Sequence, residues 1–197
     1  MKLYCATTNP GKLREFRMAG EQRGIGIEPV PGLERIAPFE EAALSFEQNA
    51  AEKAAYYSRF APGPVFADDS GLEVEALGGD PGVLSARFAG ENATDEENNR
   101  LLLERLQGVT DRHARFVCVI AVARAGELLR IFRGAVEGRI LEAPRGSNGF
   151  GYDPLFLYPP FGRTFGEVTD EQKMRVSHRS QALRAMLDWY TEAPLAG

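Results

Sequence analysis

In 197 residues there are only two cysteines, two histidines and one tryptophan. So few thiols exclude a disulfide-stapled scaffold. Cys5 and Cys118 each lie in an apolar run, without a second cysteine or a histidine at metal-ligand spacing, and read as buried core thiols. Long apolar stretches are also missing: none approaches the ~18 residues of a membrane span. The apolar start, Met1 to Cys5, meets Thr7-Thr8-Asn9-Pro10-Gly11 too soon to hold the core of a secretory signal, so the expected compartment is cytoplasmic. Basic runs are absent as well. The 23 Lys and Arg are outweighed by 28 Asp and Glu, a net charge of −5, so neither a nucleic acid polymer nor a membrane is an expected partner. A small phosphorylated ligand is still admissible, because a few local donors and a bound cation hold it whatever the overall sign. With no repeat, low-complexity tract or interdomain linker, one domain is expected over 1–197.

What is present has an α/β rhythm. An apolar run from Lys2 to Ala6, a polar loop and the segment Leu13 to Met18 read as strand, loop and helix. A second strand is expected around Ile25 to Val30. A helix follows from about Ser45 to Arg59, with Phe46, Ala50, Ala54 and Tyr57 on one face. Val65-Phe66-Ala67 and the alternating Leu72 to Leu77 read as two strands flanking an acidic turn, Asp68-Asp69-Ser70-Gly71. Thr94-Asp95-Glu96-Glu97 is a capping box opening a helix to about Leu106. Arg115 to Ala123, Leu128 to Arg133 and Ala135 to Leu141 read as strands that pair antiparallel, so the sheet is expected to be mixed. A Gly- and Pro-rich stretch, 144–162, precedes a closing helix of about Ser177 to Tyr190, whose Leu183, Met186, Leu187 and Tyr190 share a face.

Five segments carry polar chemistry. Thr7-Thr8-Asn9-Pro10-Gly11-Lys12 sets hydroxyls, a carboxamide, a glycine and a lysine where helix-start amides point outward, which suits phosphate oxygens. It is not a Walker loop, and an ordinary polar turn fits the same residues. Asp68-Asp69-Ser70 places adjacent carboxylates on opposite faces, one free to bind Mg²⁺ or take a proton from water while the other is held by donors, although such a stretch also serves as a plain Asx-turn. Glu40-Glu41 is a second acidic pair, equally readable as a solvated loop. In Ser147-Asn148-Gly149-Phe150-Gly151-Tyr152-Asp153 glycines bracket an aromatic on which a base can stack, or which simply plugs a core. Lys173, Ser177, His178 and Arg179 group donors that match a purine 6-keto group and oppose a 6-amino group, or merely cap a helix.

Taken together, Thr8 to Lys12, Ala67 to Leu72, Gly78-Gly79-Asp80-Pro81-Gly82 with Ser85-Ala86-Arg87, Phe150 to Pro154, and Ser177-His178-Arg179 resemble the inosine/xanthosine triphosphate pyrophosphatase family, also called Ham1-like, in order and spacing along the chain. The resemblance implies an elongated α/β fold with a mixed β-sheet flanked by helices, two lobes around a nucleotide-binding cleft, and a homodimer. It implies Mg²⁺-dependent hydrolysis of inosine, deoxyinosine and xanthosine triphosphates to monophosphate and pyrophosphate. By matched position Thr7, Thr8, Asn9, Pro10, Gly11 and Lys12 grip the triphosphate, with Lys12 also catalytic. Asp69 is the catalytic carboxylate and a metal ligand, Ser70 touches substrate, and Phe150, Gly151, Tyr152, Asp153, Lys173, His178 and Arg179 surround base and sugar. Glu40 is the second metal ligand in this reading.

The chain departs from the family at that last point. The pattern Glu-Thr-Gly, then Phe-x-Glu-Asn-Ala, is replaced by Glu41-Ala42-Ala43 and Phe46-Glu47-Gln48-Asn49-Ala50. The metal ligand is therefore open among Glu40, Glu41 and Glu47. Two other readings stand beside the main one. One is a Maf-like pyrophosphatase for modified pyrimidine nucleotides, opposed by the Phe150 and Ser177-His178-Arg179 segments. The other is a nucleotide-binding sensor without turnover, opposed by Asp69 and Lys12.

Overall fold

The structure, a computed structural model, describes residues 1–192. Its elements in chain order are β1 (Lys2–Cys5), α1 (Pro10–Glu21), β2 (Gly26–Pro29), α2 (Phe46–Tyr57), β3 (Val65–Val74), α3 (Asp95–Arg105), β4 (His113–Arg124), β5 (Glu127–Ile140), β6 (Phe156–Tyr158), β7 (Arg163–Thr164), α4 (Asp170–Val176) and α5 (His178–Glu192). One seven-stranded sheet runs in the order β2-β1-β3-β4-β5-β6-β7. It is mixed, as expected: β1 is parallel to β2 and to β3, whereas β6 is antiparallel to β5 and β7. By packing, the residues form two compact units. Among the described residues, the first comprises Met1–Asp69, Cys118–Gly134 and 179–192; the second comprises Ser70–Val117 and Ala135–His178.

In the first unit, the start of α1 follows directly from its sequence. Asn9 accepts a hydrogen bond from the Lys12 amide at 3.0 Å and Pro10 takes the first helical position, where its missing N–H costs nothing. The helix buries Phe16, whose ring meets Phe66 edge-on at 5.0 Å. Helix α2 starts at the Ser45 cap and buries Phe46, Ala50, Ala54 and Tyr57, the face that its spacing marks. Leu183, Met186 and Leu187 of α5 are fully buried, each such side chain stabilising the fold by about 1.5–3 kcal/mol. Cys5 and Cys118 are buried free thiols, as read from their apolar runs.

The second unit has its own core, with Leu72, Leu102, Phe116, Ile140, Leu155, Phe156 and Phe165 at its centre. Helix α3 opens on the expected capping box, Thr94 and Glu97 each bonding the other's backbone N–H. A second such box, Thr169 and Gln172, opens the short α4, which the Gly- and Pro-rich character of the preceding stretch obscured.

Two expectations are corrected. Residues 68–71 are not a turn between strands but lie inside the single strand β3. Both aspartates are engaged there by partners distant in sequence, which no local turn rule registers. Likewise 127–140 is one strand rather than two. Within it Gly138 reflects packing: a Cβ there would stand 2.5 Å from the Leu157 carbonyl and from the Phe156 ring, so the residue marks the close approach of β6.

Candidate active site

Strand β3 sends Asp68 and Asp69 to opposite faces, and the two carboxylates enter different surroundings. Asp68 is buried, with Lys12 Nζ 2.9 Å from Oδ2 and Arg179 Nε 3.6 Å from the same oxygen. Burial disfavours its charge, but Lys12, Arg179 and Lys53 together outweigh this and hold the carboxyl at about 2. Arg179 is itself pinned by Glu15, Nη1 to Oε2 at 2.6 Å, with both side chains buried. A chain of alternating charge therefore runs Glu15, Arg179, Asp68, Lys12, and it fixes Lys12 beneath the start of α1.

Asp69 is buried too, and its environment does the reverse. Burial and the nearby charge of Glu41 push its carboxyl up to about 6, against the hydrogen bond from Asn49 and the field of Lys12. Asn49 Nδ2 donates to Asp69 Oδ2 at 2.9 Å and to the Ala43 carbonyl at 3.3 Å, while its Oδ1 accepts from the Ala43 N–H at 3.0 Å. One amide thus orients Asp69 and ties down the loop that carries Glu41. Glu41 lies 2.5 Å from Lys53 Nζ. Burial lowers the basicity of Lys53, but Glu41, Asp68 and Asp69 offset this and leave it raised.

Of the three candidate glutamates, Glu41 is the one whose charge reaches Asp69. Glu40 is exposed, and Glu47 is engaged by Arg133 at 2.5 Å. Gln48, standing where the family pattern has glutamate, is also exposed and bonds Glu52 at 2.8 Å. Thr7 Oγ1 accepts from the Asn9 amide at 3.2 Å; Thr8, Asn9 and Pro10 are exposed and Gly11 is buried. Asn49 and Lys53 carried no assigned role in the sequence reading. Their signal was the i, i+4 spacing that puts two polar groups on one side of α2.

In the second unit the segment 147–153 is built around Asp153. Its Oδ2 accepts from the Phe150 amide at 3.0 Å and from Lys173 Nζ at 2.7 Å, and the ammonium stands 4.7 Å from the Phe150 ring centroid. Only glycine fits at 149, since a Cβ would fall 2.1 Å from that carboxylate oxygen. Tyr152 is buried, and its hydroxyl donates to the Ser85 carbonyl at 2.7 Å. His178 is buried, with its ring stacked on Phe116 at 4.8 Å. Phe150, Asp153 and Lys173, three of the residues expected around a base, therefore lie together in this unit. In the first unit the guanidinium of Arg179 bonds Glu15 and faces Asp68.

Among the described residues no group of three or more His, Cys, Asp or Glu is arranged to hold a metal ion. Asp69 and Glu41 nonetheless suit a divalent cation. They are two carboxylates whose mutual repulsion a cation would relieve, leaving its remaining positions to waters and phosphate oxygens, the usual mode for Mg²⁺.

An adjacent pair of carboxylates, one held ionised against a lysine and the other held less acidic beside a third, is suited to general-base or metal-assisted chemistry. The comparisons with known proteins agree. The profile of the Ham1 family matches residues 3–189. A protein of Acidobacterium capsulatum called dITP/XTP pyrophosphatase is 49% identical over 95% of this chain and 97% of its own length, and one of the same name from Thermus thermophilus is 48% identical over 98% and 94%. A HAM1 protein from Coxiella burnetii superposes with a TM-score of 0.88 at 39% identity, covering 98% of this chain and all of its own. The Staphylococcus aureus Ham1 protein gives 0.86 at 38%, covering 98% and 99%. The chain belongs to the Ham1 family.

Proposed function

We infer that this chain hydrolyses non-canonical purine nucleoside triphosphates, ITP, dITP and XTP, to the monophosphate and pyrophosphate, removing them from the nucleotide pool. The observation that carries the reading is the split pair Asp68 and Asp69 behind the start of α1, in a chain about 48% identical to proteins named for that reaction. The amides and hydroxyls of Thr7 to Gly11 hold the phosphates and Lys12, fixed by Asp68, neutralises their charge. Asp69 and Glu41, in preference to Glu40, would hold Mg²⁺, which when bound withdraws charge from the phosphate oxygens. Asp69 accepts a proton as water attacks the α-phosphorus. The new bond joins water oxygen to phosphorus, the bond to the bridging oxygen breaks, and pyrophosphate leaves. Positioning and charge stabilisation supply most of the rate, the general base adding ~10² to 10⁴. Ser70 contacts the substrate.

Phe150 stacks on the base, while Lys173 presents a donor to the 6-keto oxygen that a 6-amino group would oppose. Guanine shares the 6-keto group, so rejection of GTP requires a further donor facing position 2. The chain acts as one catalytic domain, as a homodimer, in the cytoplasm. Among the described residues no helix is long and apolar enough to cross a membrane.

The test is release of pyrophosphate and of phosphate from ITP, XTP, ATP and GTP, with Mg²⁺ or chelator. Mg²⁺-dependent pyrophosphate from the first two, lost in Asp69→Asn with the fold retained, is the expected result. Phosphate released one at a time, or no turnover at all, would replace this reading with a different hydrolase or a sensor. Glu41→Gln should raise the Mg²⁺ concentration for half-maximal rate about tenfold or more, and Glu40→Gln should leave it within about twofold. The opposite ranking would return the second ligand to Glu40.

A further inference from the structure

The segment that carries Phe150 is fixed through its backbone. Gly149 and Gly151 have φ of 74° and 61°, and a cavity of about 1140 Å³ borders them, lined by Phe150, Gly151 and the side chains of Asp95, Asn99 and Leu103 from α3. Packing alone does not hold the segment against that space. Helix α3 grips both polar groups of Gly151 instead: Asp95 Oδ2 accepts its N–H at 2.7 Å, and Asn99 Nδ2 donates to its carbonyl at 3.0 Å. The two side chains are four residues apart, hence on one face of a helix whose start the capping box fixes. The Gly151 carbonyl dictates the orientation of the Asn99 amide and leaves Asn99 Oδ1 buried without a hydrogen-bond partner among the described residues.

We propose that Asp95 and Asn99 are specificity-positioning residues. By holding Gly151 they set where Phe150 and the Asp153–Lys173 pair meet the purine, and so how sharply a 6-keto base is preferred to a 6-amino base. The inference rests on the assignment of the base to Phe150 and Lys173.

The experiment measures kcat and KM for Mg²⁺ complexes of ITP and ATP, together with thermal melts. Asn99→Asp is nearly isosteric but sets a charged acceptor against the Gly151 carbonyl; Asp95→Ala removes the acceptor of its N–H, and Asp95→Asn keeps one. The ITP-over-ATP ratio of kcat/KM should fall about tenfold or more in Asn99→Asp and Asp95→Ala, with kcat on ITP within about threefold, and should stay within about threefold of wild type in Asp95→Asn. An unchanged ratio in both damaging variants, or an equal loss of kcat on both nucleotides, overturns the proposal. Should Asn99→Asp fail to fold, Asp95→Ala at an exposed position decides. Phe150→Ala is measured alongside. If it shifts the ratio and the α3 variants do not, the positioning role alone fails; if it too leaves the ratio unchanged, the base assignment fails first.

Discussion

At the residue scale, the adjacent aspartates of β3 make opposite statements about pH. Asp69 has a folded value of about 6, above the ~3.9 of an unfolded aspartate. The stability it contributes is therefore full below about pH 4 and lost as pH rises through about 6. Asp68, held at about 2, contributes stability that is present above about pH 4 and lost as pH falls toward 2. With chelator present, the urea midpoint should accordingly rise between pH 7 and pH 5 from the Asp69 contribution, and Asp69→Asn should flatten that rise. The buried pair Glu15 and Arg179 provides a second measurement. Glu15→Gln leaves a buried guanidinium short of its nearest carboxylate and should cost about 3 kcal/mol, read as a lower urea midpoint at unchanged slope. Neither Glu15 nor the buried place of Arg179 was legible from sequence, because 164 residues separate them and only the fold brings them together. Asp69 and Lys12 could be singled out as candidates because an adjacent carboxylate pair and an Asn-Pro-Gly-Lys helix start are local patterns, although Asp69 lies within β3 rather than in the turn its neighbours suggest.

At the element scale, the helices were the readable part. Ser45 and Thr94 announced α2 and α3, and the apolar faces of α2 and α5 are buried as their spacing requires. Thr94→Ala should cost about 1 kcal/mol of global stability and fray the first turn of α3, detectable as faster amide exchange there. The strands were read less well. Asp-Asp-Ser-Gly in β3 and the glycines of β5 carry turn chemistry locally, yet both segments are extended, with Asn49 and Lys12 bonding the aspartates and β6 lying close against Gly138. Gly138→Val should be strongly destabilising by comparison with a valine on an exposed strand position, since its side chain meets backbone and an aromatic ring. A thermal melt of that variant is the check.

At the scale of the whole molecule, the apolar periodicity and the family pattern already indicated an α/β chain with a mixed sheet, and the net charge of −5 argued against a polynucleotide partner. What composition could not supply was the division of the residues into two packed units, because β3, β4 and β5 each pass from one to the other without any break in hydropathy. A ligand that binds only the folded chain raises its stability, by about 2.7 kcal/mol at a hundredfold excess over Kd. Mg²⁺ with a slowly hydrolysed ITP analogue should therefore raise Tm, whereas a duplex oligonucleotide at physiological salt should leave both Tm and turnover unmoved. The two thiols have a practical consequence. Cys5 is buried and pushed up to about 12, and Cys118 is buried with its acidity suppressed further still, burial being the first cause for both. The native protein is thus nearly silent toward maleimides and mild oxidants. A single cysteine introduced on the exposed stretch before Phe150 would be the sole reactive handle on the molecule, and a fluorophore placed there would test whether the base binds at that segment without any native cysteine having to be removed.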